Sequence, residues 1–133
     1  MPFDSLEVST VLPATPERVY EAWLNAAQQA AYTGAAATGE AAVGARFTAW
    51  DGYIEGANVE LQPPSRIVQR WRTNEFPPSA ADSTVTVLLE PEEAASTRIT
   101  LRHTGIPEGQ GDGYRQGWLD YYFEPMRRYF SGE

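Results

Sequence analysis

The side chains of this chain with chemical potential are one histidine, four tryptophans and a scatter of carboxylates. His103 closes the run Thr97-Arg98-Ile99-Thr100-Leu101-Arg102-His103. Period-two alternation puts it on the face of Ile99 and Leu101, pointing inward, with Arg98, Thr100 and Arg102 pointing out. An imidazole titrating near ~6.5 can orient a ligand or move a proton. No nucleophile or second base accompanies it at a recognisable spacing. The residues therefore favour a histidine hydrogen-bonded near the rim of a sheet, and no catalytic residue is assigned. Gln69 stands between Ile67 and Trp71 on an otherwise apolar face, so its amide needs a partner from the protein, a water or a ligand. Trp23 reads as core, whereas Trp71 and Trp118 suit a core and a cavity wall equally.

The carboxylates point elsewhere. Paired acids can bind a metal or cleave a glycoside. Here Glu90, Glu92 and Glu93 fall in a turn, and Asp112 and Asp120 belong to a helix whose outer face carries Asp120. A solvated surface is the simpler reading, and neither a metal nor a cofactor is expected. Gly105, Gly109, Gly111 and Gly113 lack phosphate-loop spacing. They read instead as a mobile loop over a cavity mouth.

What the chain lacks narrows the classes further. Without cysteine it has no disulfide, thiolate metal site or thiol nucleophile. All ten basic residues are arginine, which excludes a Schiff-base or P-loop lysine. A formal charge of −8 argues against a nucleic-acid backbone as partner. No apolar run approaches the roughly 18 residues of a membrane span. Residues 1–12 show no basic segment followed by an apolar one, so a cytoplasmic protein is expected.

These side chains need a scaffold, and 133 residues suffice for one domain over 1–133. Leu6, Val8, Thr10 and Leu12 share one face of a first strand that Pro13 ends. Thr15-Pro16-Glu17 opens a helix with an N-cap, a proline at the first position and an acid in the first turn. It buries Val19, Ala22 and Trp23. A second short helix covers 27–32 and ends near Gly34. Strands follow over 46–50 and 53–61, joined at Asp51-Gly52. Tyr53 and Glu55 are read as facing inward with Val59 and Leu61, and Gly56 as a bulge. Further strands cover 65–73, 84–90 and 97–103. Their outward arginines and threonines indicate an antiparallel sheet with one wet face. The last element is a helix of roughly 18 residues capped by Asp112, with Tyr114, Trp118, Tyr121, Tyr122, Met126 and Tyr129 as its apolar stripe. Pro125 inside it should bend it. Grouped strands with helices at the ends define an α+β domain.

Four stretches carry a family resemblance: 14–23 (ATPERVYEAW); Val43-Gly44-Ala45-Arg46-Phe47 through Trp50-Asp51-Gly52 to Gly56; 64–72 (PSRIVQRWR); and His103-Thr104-Gly105-Ile106-Pro107 with Gly117-Trp118 and Phe123-Glu124-Pro125-Met126. The chain resembles the START-like, helix-grip (SRPBCC) superfamily, in the branch named for the activator of the heat-shock protein 90 ATPase homologue. It departs from the usual glycine pair before the second strand, having Gly44-Ala45. The resemblance implies a curved antiparallel sheet wrapped around a long C-terminal helix, with a cavity between them. Candidate cavity residues are then Trp50, Gln69, Trp71, His103, Tyr114, Trp118 and Tyr122. The expected function is non-enzymatic binding of a small hydrophobic or amphipathic molecule. The alternatives are a stress-related domain acting on a chaperone, and a polyketide cyclase or aromatase using His103 and cavity tyrosines. A homodimer and a bacterial source are compatible with this reading.

Overall fold

The computed structural model describes residues 3–132, so the reading of the first two residues lies outside it. Alternating apolar residues produce six strands: β1 (Phe3–Leu12), β2 (Arg46–Ala49), β3 (Ile54–Gln62), β4 (Arg66–Thr73), β5 (Ser83–Glu92) and β6 (Ser96–Pro107). They form one antiparallel sheet in the order β1-β6-β5-β4-β3-β2. Because β1 and β2 lie at opposite edges, the connection between them must cross the sheet. Helices α1 (Pro16–Leu24) and α2 (Ala26–Thr33) make that crossing on one face. Thr15 caps α1 by accepting from the Arg18 amide, and Gly34 ends α2 in the left-handed conformation, both as expected from the sequence.

The terminal helix runs over 111–130 as α3 (Gly111–Trp118), a π-helical turn (Leu119–Phe123) and α4 (Glu124–Phe130). Trp118, Tyr122, Phe123, Met126 and Phe130 are buried against the sheet's inner face, where Leu6, Val8, Ile67, Val85, Val87, Ile99 and Leu101 meet them. The opposite sheet face carries the exposed or half-exposed Arg70, Arg98, Thr100 and Arg102.

Several expectations need correction. Pro125 is met by the π turn, in which the Glu124 amide reaches back five residues to the Leu119 carbonyl. A proline ring crowds the carbonyl four residues before it, and a wider turn relieves that clash. Asp112 does not cap α3; Gln110 holds the cap position without a side-chain bond. Asp4 serves that end instead, its Oδ2 accepting from the amides of Gly109 and Gly111 at 2.9 Å each. β6 continues four residues past His103, so the glycine loop is shorter than expected. The bulge in β3 falls between Asn58 and Glu60. It leaves Val59 exposed, and Glu55 also faces outward. Gly56 is needed for close approach, since a Cβ there would lie 2.0 Å from the Arg70 carbonyl oxygen. Tyr53 belongs to the turn before β3, and Tyr121 is exposed.

Candidate functional site

Helix α3 carries Gly113 and Gly117 one turn apart on the side that faces β3 and β4. Glycine in a helix costs about 1 kcal/mol relative to alanine, so two beyond the opening Gly111 of one short helix call for a reason. The reason is space. Between α3, the π turn and the sheet lies a cavity of about 740 Å³ that these glycines help to line. Such a volume suits a drug-sized ligand.

The cavity wall is aromatic. Trp71 comes from the inner face of β4, Trp118 and Tyr114 from α3, and Tyr121 and Tyr122 from the π turn. Trp50 comes from the turn after β2. Trp71 stands edge-on to Tyr114 at 5.1 Å, and Trp118 packs on Tyr122 at 4.7 Å between centroids. Trp50 and Asp51 both have positive φ, 54° and 59°. Bulky residues rarely hold that conformation unless their surroundings dictate it. Here the surroundings do. Asp51 exchanges two hydrogen bonds with Ala36, and the Trp50 ring meets Tyr121 edge-on at 5.6 Å.

One end of the cavity is polar. Tyr114 donates to Gln110 Oε1 at 2.7 Å and shares a 2.6 Å hydrogen bond with Thr73. Gln110 Nε2 donates to the Glu75 carbonyl at 3.1 Å, which ties the start of α3 to the segment after β4. Tyr53 donates to the Glu75 carboxylate. Burial raises the pKa of both tyrosines, and the Glu75 bond raises that of Tyr53 further, so both hydroxyls stay protonated donors at neutral pH.

Among the sequence candidates, Trp50, Trp71, Tyr114, Trp118 and Tyr122 meet in this wall. His103 and Gln69 do not line it. His103 is fully buried behind Trp71 and Trp118. Trp118 Nε1 donates to its Nδ1 at 3.1 Å, so the ring proton resides on Nε2. That nitrogen donates to Ser83 Oγ at 2.7 Å, and Ser83 donates on to the Trp71 carbonyl. Both ring nitrogens are thus committed to the protein. Burial pushes the His103 pKa down to about 3, which keeps the ring neutral. Gln69 is equally committed: it accepts from Trp23 Nε1 at 3.2 Å and donates to Asn58 Oδ1 at 2.9 Å. Asn58 passes the chain on to the carbonyls of Glu40 and Ala42, pinning the long connection before β2. The pocket beside Gln69 measures about 20 Å³, room for roughly one water.

Tyr53, read from the sequence as facing inward, does line the cavity, whereas Glu75, Gln110 and Gly117 are not evident from the sequence as cavity residues. Glu75 and Gln110 lie outside the strands, where alternation gives no facing. The available signal was Gly109, Gly113 and Gly117 at four-residue spacing, a glycine row running into and along one helix face.

An antiparallel sheet holding a long terminal helix over an aromatic cavity defines the helix-grip class of α+β domain. Residues 13–131 match the family model described as activator of Hsp90 ATPase homolog 1-like protein. The chain belongs to that family. It is 32% identical over 117 residues to activator of 90 kDa heat shock protein ATPase homolog 1 of Homo sapiens, covering 88% of this chain and 34% of that protein. It is 27% identical to the Dictyostelium discoideum homologue, covering 96% of this chain and 33% of that one. The chain thus spans about a third of the length of these curated relatives. Among solved structures, an HSP90 activator from Plasmodium falciparum superposes with a TM-score of 0.87 at 24% identity, over 96% of both chains. CalU16 from Micromonospora echinospora superposes with a TM-score of 0.79 at 21% identity, over 96% of this chain and 74% of its own. At these identities the structures establish the fold alone.

Proposed function

We propose that this domain binds a small hydrophobic or amphipathic molecule, without chemical transformation, between the terminal helix and the sheet. The observation that carries this reading is the 740 Å³ cavity, walled by aromatic rings and polar at one end. Apolar area supplies the affinity of such a site, and a few fixed polar groups orient the ligand. A cyclase role for His103 is disfavoured by its position, since both ring nitrogens are spent on Ser83 and Trp118 behind the wall.

Trp50, Trp71 and Trp118 in the wall provide the assay. A neutral naphthalene dye should bind with micromolar affinity, change tryptophan emission, and appear as a one-to-one complex in native mass spectrometry. Gly117→Leu should block it by filling the cavity. Unchanged binding to that variant would place the dye elsewhere and defeat the reading.

A second reading rests on the relatives, which are named as activators of the 90 kDa heat-shock protein ATPase. The domain would then dock on that chaperone. Stimulation of Hsp90 ATP hydrolysis by this chain tests it; no change in rate at saturating protein would remove it.

A further inference from the structure

The electrostatics of the cavity select among amphipathic ligands. Glu75 is the only charged residue in its wall among the described residues, and it sits, open to solvent, at the polar end beside Tyr53 and Gln110. One carboxylate oxygen accepts from Tyr53; the other has no partner among the described residues. Among the described residues, no arginine lines the cavity. Arg72 is turned away to Asp82 and the carbonyls of Pro77 and Ala80, and Arg115 reaches the Glu7 carbonyl.

One feature of the wall would ordinarily attract an anion. The start of α3, where amides point outward, reaches the cavity at Gly109 and Gln110. That end is already occupied: Asp4 accepts from the amides of Gly109 and Gly111 with one oxygen. The start of α3 is therefore neutralised from within the chain.

The rest of the wall favours positive charge. The rings of Trp50, Trp71, Tyr114, Trp118, Tyr121 and Tyr122 present π-faces and edges around one volume. Aromatic faces attract organic cations, most strongly when a carboxylate stands nearby and water is displaced. The net charge of −8 draws cations toward the domain as well.

We propose that the cavity is selective for organic cations: an amine or quaternary ammonium on an aromatic or aliphatic body, with its charge at Glu75 and its body against the tryptophans. This proposal rests on the ligand-binding reading above and adds the sign of the ligand's charge.

Three probes with one apolar body test it: naphthylethyl-trimethylammonium, naphthylethanol and naphthylpropionate. Each is titrated by calorimetry into the wild-type chain and into Glu75→Gln, with folding checked by circular dichroism. The expected order is the cation tightest, about tenfold tighter than the alcohol, and the carboxylate weakest. Glu75→Gln should shrink the cation-to-alcohol ratio to less than about threefold. Equal affinities, or a preference for the carboxylate, would overturn cation selectivity while leaving a binding cavity in place. A ratio unchanged in Glu75→Gln would overturn the assignment to Glu75. Failure of all three probes to bind a folded protein at millimolar concentration would overturn both the selectivity and the binding reading.

Discussion

His103 should make the domain acid-sensitive, and the size of the effect follows from its burial. In the unfolded chain the imidazole titrates near ~6.5. In the folded protein burial lowers its pKa to about 3, and its Nδ1 is blocked by the Trp118 indole N–H. Below the unfolded value, the unfolded chain takes up a proton that the folded one refuses. Stability from this group is therefore fully present above about pH 6.5 and is lost as pH falls toward 3. The slope is about 1.4 kcal/mol per pH unit, so about 2 kcal/mol is lost between pH 7.5 and 5. With a urea slope of about 2 kcal/mol per molar, the midpoint should fall by about 1 M. Carboxylates titrate in part of this range, so the informative quantity is the difference from a variant that cannot titrate. His103→Gln keeps an amide able to accept from Trp118 and donate to Ser83. Its midpoint should be lower at neutral pH yet fall by about 1 M less on acidification. Because this is the chain's one histidine, a single imidazole resonance reports directly on the native state. It should hold its neutral shift until the protein unfolds. Parallel pH profiles for wild type and variant, or a native titration near 6, would refute the reasoning.

Other outcomes follow from single contacts. Gln69→Leu strands the Trp23 N–H and the Asn58 carbonyl oxygen in the core and should cost about 2–4 kcal/mol by chemical denaturation. Gly56→Ala puts a methyl against the Arg70 carbonyl and should cost about 3 kcal/mol, read the same way. Gly117→Leu should raise stability by up to about 1 kcal/mol, because its Cβ meets only the Tyr121 ring, at 3.9 Å, while dye binding is lost. Trp118→Ala removes a buried ring and the donor to His103 and should cost on the order of 3–5 kcal/mol.

The sequence disclosed most about residues whose facing is set by a local period. Alternation along β6 placed His103 inward, and the helical stripe placed Trp118 and Met126 in the core, because one buried face imposes that pattern. It failed where the period is interrupted. The bulge at Val59 reverses the facing of everything before it in β3, so Glu55 emerged outward. The partners of His103 come from β5 and α3, and those of Gln69 from β3 and α1; such pairings depend on tertiary geometry that no spacing encodes. The Asp4 cap on α3 joins residues more than a hundred positions apart, whereas Asp112, the local candidate, is merely exposed in the first turn. The polar end of the cavity was invisible for a similar reason. Apart from Tyr53, its residues Glu75 and Gln110 lie in turns, and a turn assembles side chains by shape.

The terminal helix divides its work along its length, and that division explains how one domain tolerates so large a cavity. Past the π turn, Met126 and Phe130 are buried, and Tyr32 packs on Tyr129 from α2. This half closes the core. Before the turn, Gly113 and Gly117 withdraw side chains from the sheet, and the aromatic rings stand around the cavity rather than filling it. An empty apolar volume of this size forfeits packing, a loss of roughly 20 cal/mol per Å³ in fully enclosed cavities, less here because the cavity opens to solvent. Core packing at α4 and the buried hydrogen-bond chains through His103 and Gln69 offset that loss. Substitutions along α4 should therefore move the unfolding midpoint with little effect on affinity, while substitutions at Gly113, Gly117 and Glu75 should change affinity without lowering the midpoint. Affinity and stability that fall together across both sets would mean that the cavity is an extension of the core and not a site in its own right.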